Sequence, residues 1–121
     1  LEEVRQGIGQ LLRDSGASPP DESELPGRLQ AGQADVKAVL EVMQGRGELV
    51  RLDQLLFDAG ALQKLETELV RFLQDHGEIE VSAFRELAGT TRKFAVPLLN
   101  PFDSRGITLR DGSVRRLLVS P

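Results

Sequence analysis

The chain nearly repeats itself, and this constrains its folding more than any other feature. Leu12-Arg13-Asp14-Ser15-Gly16 matches Leu73-Gln74-Asp75-His76-Gly77 at an offset of 61. Further on, Val36, Val39, Leu40 and Met43 match Ala95, Leu98, Leu99 and Phe102 at an offset of 59. Arg46-Gly47 then matches Arg105-Gly106, and Val50-Arg51 matches Leu109-Arg110, at the same offset. The first copy is thus two residues longer between these blocks. Two related modules of about 60 residues explain this better than one continuous domain.

The second copy is the clearer one. Leu62, Leu65, Leu69, Phe72 and Leu73 form a helical stripe that stops at Gly77. Residues 78–80 can form a short strand. Ser82 is placed to cap a short helix carrying Phe84, Leu87 and Ala88, which Gly89 ends. Thr90 or Thr91 then caps a further helix, in which Ala95, Leu98, Leu99 and Phe102 fall on one stripe reaching to about Arg105. Pro97 and Pro101 lie inside that helix and are expected to kink or shorten it. Ile107, Leu109, the Asp111-Gly112 pair, Val114 and Leu117 to Val119 read as a hairpin.

Helix, strand, helix, turn, helix and two-stranded wing is the order of a winged helix-turn-helix. Copy one follows it with a longer front loop around Ser18-Pro19-Pro20-Asp21 and a short helix within residues 22–29. A third helix spans residues 33–44, and a wing is formed from residues 48–51 and 55–57. The expected fold is α+β, mainly helical, with two tandem winged helix-turn-helix domains at residues 1–58 and 59–121. Asp58-Ala59-Gly60 leads from wing to helix without a long linker.

Charge separates the copies. Residues 1–60 carry six basic and eleven acidic side chains, a balance of −5, whereas residues 61–121 carry nine and eight, a balance of +1. Residues 84–121 hold seven basic against three acidic, a balance of +4 within a chain of net charge −4. A polyanion needs such a local patch rather than a basic whole. Arg92 and Lys93 stand in the first turn of a helix, where cations oppose the dipole at a cost of roughly 0.3–1 kcal/mol each. Binding a polyanion is the plainest use for that cost. Arg85 lies on the preceding helix, and Arg105, Arg110, Arg115 and Arg116 surround the wing.

Helix-turn-helix modules grip nucleic acid through the second helix of the motif and the wing. The hydroxyls and amides of Thr90 and Thr91 can add phosphate contacts at the helix start. The expected nucleic-acid-binding set is therefore Arg85, Thr90, Thr91, Arg92, Lys93, Arg105, Arg110, Arg115 and Arg116, which the resemblance given below makes an RNA-binding set. The competing reading makes them ordinary solvent-facing residues. Copy one lacks the set: residues 31–34 replace the Thr-Thr-Arg-Lys cluster, Asp35 follows, and Lys37 alone is basic nearby. Duplication followed by loss of the site makes copy one a spacer or scaffold. Phe94 could stack on a splayed base or pack in the core, and the core is favoured.

Other chemistry finds little support. The chain has no cysteine, which excludes disulfides, thiolate metal sites and a cysteine nucleophile. His76, the sole histidine, sits near a helix end and suits a surface or capping role. Glu66 and Glu68 read as ordinary solvation. Phosphate loops, nucleophile elbows and zinc spacings are missing, so no catalysis, no metal and no cofactor are expected. Apolar runs are too short to span a membrane, and no leader is evident. The cytoplasm is the expected compartment and a monomer the expected state. The chain opens at Leu1 rather than Met, as expected of a piece of a longer protein.

Residues 89–99, Gly-Thr-Thr-Arg-Lys-Phe-Ala-Val-Pro-Leu-Leu, followed by Phe102-Asp103 and the run from Arg105 to Thr108, resemble the C-terminal end of the bacterial selenocysteine-specific elongation factor SelB. The family pattern there runs Gly-Thr-Ser-Arg-Lys-Tyr-Ala-Ile-Pro-Leu-Leu-Glu, then an aromatic-Asp pair and a short wing. Thr91 stands for the usual Ser, Phe94 for Tyr, and Asn100-Pro101 for a Glu-aromatic pair. The match covers copy two; copy one fits the preceding module by architecture. The resemblance implies tandem winged helices that bind the selenocysteine insertion (SECIS) hairpin of the messenger RNA, with the last module making the contacts. It implies upstream GTPase and tRNA-binding domains outside this chain, with GTP and Mg there, and the ribosome and selenocysteyl-tRNA as partners of the parent protein. The alternatives from the residues themselves are a DNA-binding winged-helix regulator and a protein-interaction scaffold.

Overall fold

A computed structural model describes residues 1–118. Contacts divide the chain into two compact units, Leu1–Leu62 and a second beginning at Gln63. The division falls inside a helix, one turn past its start.

The first unit opens with α1 (Glu2–Ser15), whose first turn carries Glu2 and Glu3 and whose last carries Arg13, both favourable to the helix dipole. A capping box between Asp21 and Glu24 starts a 3-10 turn (Glu22–Glu24) that runs into α2 (Leu25–Leu29). α3 (Gln33–Gly45) follows, then the hairpin of β1 (Leu49–Leu52) and β2 (Leu55–Asp58). Ile8 and Leu12 of α1, Leu25 of α2 and Val36, Val39, Leu40 and Met43 of α3 close one core with Leu49 and Leu56. Gly7 lets α1 approach α2: a Cβ there would lie 2.8 Å from Leu29 Cδ2.

The next helix, α4 (Ala59–His76), begins one turn before the unit boundary, and its Leu65, Leu69 and Leu73 are buried. β3 (Glu78–Glu80), α5 (Val81–Ala88), α6 (Arg92–Ser104), β4 (Thr108–Asp111) and β5 (Val114–Leu117) complete the second unit. Its sheet is antiparallel in the order β3-β5-β4, so β5 is central. This is the winged helix-turn-helix expected from the sequence. Glu80, rather than Ser82, precedes α5 as its N-cap residue. The wing turns on Gly112-Ser113, with Asp111 still paired to Val114. Val119 lies outside the described residues.

The repeat extends to single hydrogen bonds. Ala31 N–H donates to Pro26 C=O and Thr90 N–H to Arg85 C=O, each at 3.0 Å and each closing the short second helix of its module. Glu48 N–H bonds Met43 C=O as Ile107 N–H bonds Phe102 C=O, at 2.9 and 3.0 Å. The left-handed cap of α5 is Gly89 (φ 67°), and that of α2 is Gln30 (φ 52°). A side chain in that region is disfavoured and glycine is not. Gln30→Gly is therefore expected to stabilise the first unit by about 0.5–1 kcal/mol, read as a higher urea midpoint with unchanged slope.

One ion pair in each unit ties the leading helix to the turn before the wing. Arg5 of α1 meets Glu48 in the first unit, and Glu66 of α4 meets Arg105 in the second.

Candidate nucleic-acid interface

The turn between α5 and α6 is built by Gly89 and Thr91. Thr91 sits extended at φ −108° and ψ 171°, and its C=O accepts the N–H groups of Phe94 and Ala95 at 3.1 Å each. Its hydroxyl makes no capping bond. The amides of Arg92 and Lys93, in the first turn, have no acceptor within the helix.

α6 then runs unbroken through Pro97 and Pro101 to Ser104, where the sequence leads one to expect a kink or an early end. The prolines withhold bonds from the carbonyls of Lys93 and Pro97, at roughly 3 kcal/mol per proline. Phe94, Ala95, Leu98, Leu99 and Phe102 are all buried on the opposite stripe and hold the helix by packing, each large side chain contributing about 1.5–3 kcal/mol. Phe94 is a core residue.

Between α5, the start of α6 and the wing lies a groove of about 500 Å³. Arg85, Arg92, Arg110 and Arg115 line it, with Ser82, Ser113 and one acidic residue, Glu80. Arg92 and Arg110 are exposed and Arg85 is half-buried. None of the three has an ion pair among the described residues; Arg110 makes only a long bond, 3.5 Å, from Nε to the Gly112 carbonyl. Lys93, also exposed and without an ion pair, stands beside them with its Nζ 5.3 Å from the ring centre of Phe94. Thr90 and Thr91 lie at the same helix start.

The remaining expected contacts are already engaged. Arg115 is 3% exposed, and its Nε donates to both carboxylate oxygens of Asp103, at 3.1 and 3.0 Å. Thr108 Oγ1 donates to the same carboxylate at 2.6 Å. Arg115 is thus a strut between α6 and the wing, although it also borders the groove. Arg116 bonds Asp111 at 3.0 Å and Glu78 at 2.9 Å. The hydrogen bond to Asp111, with the charge of Glu78 adding, raises the Arg116 pKa above that of a free arginine. Arg105 pairs with Glu66.

Sequence reading missed Asp103 as a structural centre and treated Glu66 as plain solvation. The Phe102-Asp103 pair was visible, but its partner Arg115 lies twelve residues on in another element.

In the first unit the matching helix start is bare of cations. Gly32 is the N-cap of α3, and Gln33, Ala34 and Asp35 form its first turn.

A family model described as elongation factor SelB, winged helix, matches residues 71–117. A selenocysteine-specific elongation factor from Desulfomicrobium baculatum is 29% identical over 84 residues, which is 69% of this chain and 13% of that protein. The chain thus spans about an eighth of that relative's length. The solved mRNA-binding domain of elongation factor SelB from E. coli, in complex with SECIS RNA, superposes with a TM-score of 0.73 at 22% identity, covering 98% of this chain and 100% of that one. A bacterial selenocysteine-specific elongation factor EF-Sec gives a TM-score of 0.58 at 24% identity, over 87% of this chain and 19% of that one. Both structural likenesses establish the tandem winged-helix fold. Residues 71–117, most of the second module, are thus similar to the winged helix of elongation factor SelB, on a chain that has the tandem winged-helix fold throughout its described residues.

Proposed function

We propose that this chain binds a SECIS-type hairpin in messenger RNA through its second module, as a non-catalytic segment of a selenocysteine-specific elongation factor. The observation that carries the reading is the groove of Arg85, Arg92 and Arg110, with Lys93 beside it, all without ion pairs among the described residues, in a module that matches the SelB winged helix. The relative solved with SECIS RNA supports the choice of ligand. An A-form major groove is too narrow to admit a helix, so the module holds phosphates from outside while a loop or bulge supplies sequence. In this reading the first module is a spacer. The parent protein acts in the cytoplasm, supplies GTP chemistry from domains upstream, and brings selenocysteyl-tRNA to the ribosome.

Fluorescence anisotropy with a SECIS hairpin, a scrambled hairpin and a DNA duplex, each at two salt concentrations, tests this. Tight, salt-sensitive binding to the SECIS hairpin alone is the expected result. Arg92→Ala should weaken it about tenfold, the loss of one charged hydrogen bond of about 1.5 kcal/mol. Equal binding to all three nucleic acids would sink the reading. A wild-type affinity for Arg92→Ala would remove Arg92 from the contact set.

A further inference from the structure

The seven basic residues of positions 84–121 fall into two sets. Arg85, Arg92, Lys93 and Arg110, at the groove and the start of α6, have no acidic partner among the described residues. Arg105, Arg115 and Arg116 are each held by at least one carboxylate. Asp103 is structural, because it anchors a buried guanidinium. Glu66, Glu78 and Asp111 are not needed for that purpose: they hold Arg105 and Arg116, which are 59% and 48% exposed at the side chain.

Exposed pairs of this kind add little stability, typically below about 1 kcal/mol. Their effect on an approaching polyanion is larger. Arg105 with Glu66 sums to zero charge, and Arg116 with Glu78 and Asp111 sums to −1. Even if a pair opens, its carboxylate stays well inside the Debye length of about 8 Å, and a phosphate meets no net attraction. Without these acids the positive surface would extend over the wing's other face. Arg116 lies opposite Glu78 and Leu109 in the sheet, whereas Arg110 and Arg115 share the other face with Ile79.

We infer that Glu66, Glu78 and Asp111 are specificity-determining residues, which mask Arg105 and Arg116 and so confine polyanion binding to the Arg85–Arg92–Arg110 groove. The inference rests on the RNA-binding reading of that groove. The masks act against non-cognate nucleic acid, whose affinity comes almost wholly from phosphate contacts.

The test uses the full chain as Glu66→Gln and as the double variant Glu78→Gln/Asp111→Asn, titrated with the SECIS hairpin and with an unrelated RNA duplex across salt. Glu86→Gln is the control: it removes one negative charge from exposed α5 without releasing an arginine. Each freed arginine is expected to steepen the log–log salt slope on the unrelated duplex by about 0.7–0.9. That is roughly a threefold greater loss of affinity between 50 and 200 mM salt. The preference for the hairpin should fall, and adding Arg105→Ala to Glu66→Gln should restore the original slope. Slopes matching the Glu86→Gln control would overturn masking. A wild-type chain that does not prefer the hairpin would instead overturn the RNA reading, while the duplex slopes still decide whether the acids mask.

Discussion

Replacing Asp103 with alanine is expected to cost the second module about 3 kcal/mol. The carboxylate accepts two bonds from Arg115 and one from Thr108, both of which are nearly fully buried. Removing it leaves a guanidinium charged, 3% exposed and without its partner, the case in which breaking a buried pair costs 3–5 kcal/mol. The lower end applies because the Asp103 side chain remains 24% exposed and some water reaches the pair. A second effect has the same sign. Arg115 stands directly across from Arg110 in the β4–β5 ladder, and like charges opposite one another destabilise a sheet. Asp103 cancels that repulsion. In a urea titration of the full chain, the second module should lose its structure at a much lower midpoint. Asp103→Leu with Arg115→Met should recover most of the loss, because an apolar pair of similar volume replaces the buried ion pair at little cost. A wild-type midpoint for Asp103→Ala would show that the strut carries no load.

The second large effect concerns binding. Changing Arg85, Arg92 and Arg110 together to alanine should reduce hairpin affinity by roughly a hundred- to a thousandfold at low salt, with each charged hydrogen bond worth about 1–1.5 kcal/mol. The salt slope should fall by about one per arginine removed. All three lack ion pairs among the described residues, so their loss orphans no carboxylate there and stability should scarcely change. Circular dichroism separates lost contact from lost fold. A triple variant with intact affinity would place the RNA elsewhere on the module.

Much of this was legible in the sequence for a physical reason. Helical stripes, glycine stops and a wing with a turn signal are local patterns, and the repeat showed them twice. Arg92 and Lys93 were legible because a cation in a first turn is locally unfavourable. The pairing of the other arginines was not. Whether an arginine is free depends on which carboxylate the fold brings to it, and Glu66 meets Arg105 across thirty-nine residues. The unbroken course of α6 was also hidden. Pro97 is a helix breaker by local rules, and only the packing of Phe94, Leu98, Leu99 and Phe102 overrides it.

The two ties between leading helix and pre-wing turn have opposite polarity: arginine to glutamate in the first unit, glutamate to arginine in the second. Tandem copies with matching hydrophobic stripes are prone to exchange equivalent helices while the chain folds. Apolar packing alone discriminates poorly between α1 and α4. Arg5 and Glu66 hold the same place in the repeat, but their partners do not: Glu48 matches Ile107, and Arg105 matches Arg46. Were α1 to dock in the second unit's core, Arg5 would find Ile107 in place of its glutamate, with Arg105 only two residues away. The tie of the first unit thus works as a one-way lock: it rejects α1 from the second core, whereas Arg46 leaves the first core open to α4 as far as charge is concerned.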